Sequence, residues 1–74
     1  MNSERLFKII ISDLTSEKMK NEEELERIIN LDMETDVKIL TIKNILKQIS
    51  LTELSIAKFS GMLTVNNNNN NTKI

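Results

Sequence analysis

The chain has 74 residues, 39% of them hydrophobic and 28% charged, with 10 Lys and Arg against 11 Asp and Glu for a formal net charge of −1. That length holds one small domain at most. Having no Cys and no His, the chain has no disulfide framework, zinc finger, haem ligand or thiol nucleophile to offer, and its near-neutral balance argues against holding nucleic acid by bulk electrostatics.

The first segment, Leu6 to Ile11, is rich enough in β-branched residues to suit a strand, but its flanks favour a helix. Asn2 or Ser3 can cap it, and Glu4 falls in the first turn, where the helix dipole favours an acid. Glu4 and Lys8 interrupt any signal-like apolar region. No stretch of the chain approaches the roughly 18 apolar residues of a membrane span. We therefore expect a cytoplasmic protein without a membrane span, and the absence of Cys fits a reducing compartment. Phe7, Ile10, Ile11 and Leu14 form the first apolar stripe. The short polar residues of Asp13 to Ser16 compete for backbone hydrogen bonds and offer one stopping point. Asn21 with Glu24 reads as a capping box. Leu25, Ile28, Ile29 and Met33 form the second stripe.

Asn30 to Asp36 carries a run of turn-prone and helix-starting residues, with Asp32 or Thr35 able to open a new helix. Beyond it lies the best amphipathic stretch, Ile39, Ile42, Leu46 and Ile49, widened by Leu40 and Ile45. Lys38, Thr41, Lys43, Asn44, Lys47 and Gln48 lie opposite. Ser50 with Glu53 matches a capping box and could restart a helix there. Asn66 to Asn71, followed by Thr72-Lys73-Ile74, buries nothing and favours helix poorly. We expect 66–74 to be a disordered tail and 1–65 to be the folded body.

One heptad frame threads the body. Its first core positions are Glu4, Ile11, Lys18, Leu25, Asp32, Ile39, Leu46, Glu53 and Ser60, and its second are Phe7, Leu14, Asn21, Ile28, Thr35, Ile42, Ile49, Ile56 and Leu63. Polar layers fall at Lys18 with Asn21 and at Asp32 with Thr35. In a continuous coiled coil such layers are costly or set register. Placed at a turn, the second layer leaves helices of matched length, about 4–31 and 35–63. The predicted fold is therefore all-α: a helical hairpin with coiled-coil packing. A single long helix in a parallel coiled coil is the alternative, followed by a three-helix unit broken near Ser50. Two helices cannot cover Ile10, Ile29, Leu40, Ile45, Leu54, Phe59 and Met62, so a homo-oligomer resembling a four-helix bundle is expected to complete the core. Acid-first pairs Glu4–Lys8, Glu23–Arg27 and Glu34–Lys38 should add a few tenths of a kcal/mol each.

The chemistry available is narrow. Ser and Thr abound, but there is no His base and no Cys nucleophile, and a hairpin offers no cleft to deprotonate a Lys. We expect no enzyme and no cofactor. Asp32-x-Glu34-x-Asp36 mimics the start of a calcium loop, but Val37 stands where the loop needs Gly and Lys43 where it needs Glu, so no metal is expected. Glu22, Glu23, Glu24 and Glu26 read as a solvated acidic turn, and Lys38, Lys43, Lys47 and Lys58 as a solvated basic face without the Trp or Arg that would suggest a membrane surface. Thr52 to Leu63, with Ala57 and Gly61, has the spacing of the first helix and turn of a helix-turn-helix. Its recognition helix would fall on the Asn tract, which has no Arg, so nucleic acid is an unlikely partner.

The functional expectation is a small protein–protein interaction module, an adaptor, inhibitor or assembly factor. It would work through an apolar helix face drawn from Ile28, Ile39, Ile42, Leu46, Ile49 and Ile56. A phage or viral assembly chaperone in a host cytoplasm is a second reading, since the abundance of Ile, Asn and Lys matches AT-rich codons. A small DNA-binding regulator built on 52–63 is a third.

Overall fold

The computed structural model describes residues 3–72, with side chains described to residue 63. Two helices account for nearly all of it: α1, Ser3–Ile29, and α2, Thr35–Thr72. They pack against each other as an antiparallel hairpin. The Leu6 to Ile11 segment is helical. Glu4 occupies the first turn of α1 and Arg27 the last, each at the end where the helix dipole favours its charge. The helix also passes unbroken through Asp13 to Ser16, because the Thr15 hydroxyl donates to the Ile11 carbonyl at 2.8 Å and so bonds within the helix instead of competing with it. Ser50 and Glu53 likewise lie inside α2 and restart nothing.

The turn is compact. Asn30 closes α1 by donating its backbone N–H (3.3 Å) and its side-chain amide (2.9 Å) to the Glu26 carbonyl. Leu31 N–H donates to Ile28 O at 3.1 Å, tightening the last turn. The Glu34 carbonyl accepts the first bond of α2 from Lys38 N–H at 2.9 Å, and Asp36 supplies the acid of its first turn. Lys38 Nζ reaches back to the Leu31 carbonyl at 3.0 Å. That contact ties the turn down and replaces the Glu34–Lys38 pair expected from spacing.

The seam between the helices follows an alternating spacing of four and three. On α1 it takes Phe7, Ile11, Leu14, Lys18, Asn21, Leu25 and Ile28, all buried or half-buried, which are the positions of the heptad frame. On α2 it takes Lys38, Ile42, Ile45, Ile49, Thr52, Ile56, Phe59 and Leu63. Ile42, Ile49, Ile56 and Leu63 belong to the frame, but their seam partners each lie one residue earlier than it placed them. The non-helical residues 30–34 break the phase, leaving α2 free to roll about its own axis. Rolling this way turns Glu53 and Ser60 out of the seam and brings in Thr52 and Phe59. It also corrects two positions expected to lie outside it, Ile45 and Phe59. The Thr52 hydroxyl, although buried, is satisfied by the Gln48 carbonyl at 2.9 Å. Phe59 gains Phe7, with ring centroids 5.5 Å apart at an interplanar angle of 50°, a geometry worth about 0.5–1.5 kcal/mol beyond its buried area.

The core is thin. Ile28, at 4% exposure, and Ile49, at 8%, are its only buried hydrophobic residues among those described. α2 also runs through Gly61 without a positive φ and on to Thr72, past the helix end expected near Gly61, at about 63. Of the tail expected to be unstructured, 66–72 is backbone of α2 with side chains outside the described set, and 73–74 lie outside the described residues.

With so few buried side chains, each one carries a large share of stability. Ile28→Ala and Ile49→Ala should each lower unfolding free energy by about 2–5 kcal/mol, whereas Leu54→Ala, at an exposed site, should change it by less than about 0.5 kcal/mol. Urea denaturation followed by circular dichroism measures all three.

Candidate interaction surface

The seam gives the hairpin two broad flanks, and two observations tell them apart. Lys18, in the seam, pairs with Glu53 across the interface at 3.3 Å, and this marks the first flank. Glu17, Lys20 and Asn21 on α1 share an open polar hollow of about 290 Å³ with Gln48 and Thr52 on α2, and this marks the second. The polar layer expected at Lys18 and Asn21 thus sits within the seam as a working part of it. Lys18 lets its ammonium escape to Glu53 on one side, while Asn21 opens to the hollow on the other.

The first flank holds an exposed apolar cluster near the turn. Ile39 and Leu46 lie in register with Glu53 along α2, at successive spacings of one heptad. Ile29 and Met19 lie on the corresponding side of α1. The four are 47%, 46%, 50% and 56% exposed, respectively. Glu22 and Glu26 lie among them on α1, and Lys43 on α2, all exposed, while Lys47 shares the outward position of Leu40 and Leu54. Farther round α2, Leu46, Lys47, Ser50 and Leu51 line an open, mainly apolar hollow of about 430 Å³.

Of the six residues the sequence singled out as an apolar face, the structure brings four together. Ile28, Ile42, Ile49 and Ile56 lie between the helices. Ile39 and Leu46 are turned out onto the flank. The first four are therefore spent on the hairpin's own seam, and the outward pair keeps company with Ile29 and Met19. Met19 falls in neither of the two apolar stripes read on α1, and only its helical offset from Glu22 and Glu26 places it on this flank. The role of Lys18 was legible as a polar seam position, but Glu53 as its partner depended on the roll of α2.

Charged groups elsewhere pair locally. Glu4 and Lys8 meet at 3.2 Å. Arg27 grips Glu24 through two bonds of 2.6 and 3.1 Å, in place of the expected Glu23. That hydrogen bond, aided by the guanidinium's charge, holds the Glu24 carboxyl below the usual glutamate range and raises Arg27. Among the described residues no group of acids is arranged to hold a metal ion, and no helix is long and apolar enough to cross a membrane. Thr52 to Leu63 lies wholly within α2, so the turn that a helix-turn-helix requires after its first helix is not formed at Gly61. Compared with protein families, curated proteins and solved structures, the chain matches none of them.

Two tests follow from this geometry. Lys18→Leu should raise stability by about 1 kcal/mol, because it fills a seam position with an apolar side chain while Glu53, half exposed, stays solvated; a lower urea midpoint would show that the ion pair itself holds the register. Glu24 should titrate below the ordinary glutamate range in carboxyl-resolved NMR, and Arg27→Ala should return it to the ordinary value. Because the folded-state value is the depressed one, its small stabilising contribution is present above the ordinary glutamate range and fades as pH falls through the lowered value.

Proposed function

We propose that this chain is a small non-enzymatic protein–protein interaction module, of the adaptor, inhibitor or assembly-factor kind, acting through an apolar helix face. The observation that carries the reading is the imbalance between inside and outside. Among the described residues two hydrophobic side chains are buried, while twelve large ones, Leu54 at 68% and Leu40 at 61% among them, stand exposed. Scattered exposed leucines are ordinary on any protein. Here they are concentrated on two helices that have only one another to pack against, and small domains with thin cores ordinarily gain burial by association. The seam's alternating spacing supports coiled-coil-type packing, and completion as a homo-oligomer resembling a four-helix bundle supplies the missing burial. A Cys-free composition fits a cytoplasmic setting for such a module.

Light-scattering mass after size exclusion, taken across a concentration series and paired with binding of an apolar fluorescent dye, tests the reading. We expect a mass above the 8.5 kDa of one chain, or, where the chain is monomeric, strong dye binding by the uncovered face. A monomer at every concentration that also binds no dye would overturn the proposal, since its apolar face would then be neither occupied nor available.

A further inference from the structure

Resting on the reading above, we propose that the flank carrying Met19, Ile29, Ile39 and Leu46 docks a second copy of this chain about a two-fold axis parallel to the helices, so that α1 of each copy lies against α2 of the other. Charge and register carry the argument. In the hairpin Phe7 lies level with Phe59 and Lys18 level with Glu53. By the same register, Glu26 lies level with Lys43. Within one copy this acid and this base sit on different helices of the same flank, and neither has an ion pair.

A two-fold axis along the bundle keeps every residue at its own level while exchanging left for right. It therefore sets Glu26 of one copy opposite Lys43 of its partner, a pair made twice. The same operation brings the exposed Ile29 of one copy to the level of the partner's Ile39 and Leu40. Toward the open end, Ser12 comes level with the partner's Ala57, both small residues that let the helices approach. A two-fold axis across the helices would instead stack α1 on α1, facing the acidic turn with its own copy, which like-charge repulsion disfavours.

Each α1 is then flanked by two antiparallel neighbours, the arrangement of an up-down four-helix bundle. The area suffices as well. The hairpin's broad face is 19 Å wide and the paired helices overlap for about 40 Å, at 1.5 Å rise per residue, which approaches the roughly 800 Å² per partner of a stable complex. The second flank lacks this character, being occupied by the polar hollow of Glu17, Lys20, Asn21, Gln48 and Thr52.

Charge exchange tests the proposal. Two variants, Glu26→Lys and Lys43→Glu, alter exposed positions only, and circular dichroism confirms that each remains helical. The native chain should have twice the mass of one copy by light scattering. Each variant alone should weaken dimerisation by at least about tenfold, through like-charge juxtaposition. An equimolar mixture of the two should recover native affinity as a heterodimer, because every facing pair is again opposite in sign. A native dimer indifferent to both variants would overturn this face. A native monomer that binds apolar dye would overturn the second copy as occupant while leaving the interaction-module reading standing, and a monomer that binds none would overturn both.

Discussion

Two α-helices can bury one stripe each against the other, and in this chain the two helices carry more apolar surface than a single seam can hold. Most of what the structure does can be traced to that shortage. The seam takes what fits at alternating spacings of four and three residues, yet only Ile28 and Ile49 are buried among the hydrophobic residues described, its other apolar members being half-buried. The exposed large side chains lie on the flanks and the outer faces. A hydrophobic contribution of about 1.5–3 kcal/mol for each fully buried aliphatic side chain leaves little margin over the conformational entropy of ordering two long helices.

Within that thin seam, polar residues are handled individually. Thr52 is buried, but it bonds to the carbonyl of its own preceding turn. Lys18 runs its aliphatic stem through the interface and delivers its ammonium to Glu53 at the edge, where both groups keep access to water. Neither arrangement leaves a buried polar atom without a partner among the described residues. An exposed ion pair of this kind contributes about 0–1 kcal/mol, so its main consequence is geometric. It favours the roll of α2 in which Glu53 faces outward beside Lys18, and that roll presents Ile39 and Leu46 on the same flank.

The turn illustrates how local bonding can settle a long-range arrangement. Asn30 and Leu31 close α1 with bonds to Glu26 and Ile28, and Lys38 reaches back over the turn to Leu31. The chain reverses within a few residues, without glycine or proline, and both helices begin packing directly from the turn. The acidic cluster of α1 and the lysines of α2 are consequently brought to the same level of the hairpin, on neighbouring helices. The charge pattern of the flank is a product of this reversal, since the two groups are widely separated in the sequence.

Sequence alone determined that the body is helical. Absence of Pro, a lone Gly, acid-first turns and apolar stripes at helical spacing dictate helix. The run from Asn30 to Asp36 offers the point of reversal, and α1's seam follows from its own periodicity, because within one continuous helix the phase of every residue is set by the first. Tertiary structure decided what lies across the break. A heptad frame cannot be carried through residues that are not helical, so the roll of α2 is chosen by packing: Ile45, Thr52 and Phe59 enter the seam because that choice releases Glu53 and Ser60 to water and gives Phe7 an aromatic neighbour. The same limit applies to side-chain partners. Spacing allowed Arg27 either Glu23 or Glu24, and Lys38 either Glu34 or a more distant acceptor; rotamers and the path of the turn chose Glu24 and the Leu31 carbonyl. Whether Leu46 would be core or surface was likewise undetermined by its hydrophobicity, because burial is a property of the pair of helices and not of either one.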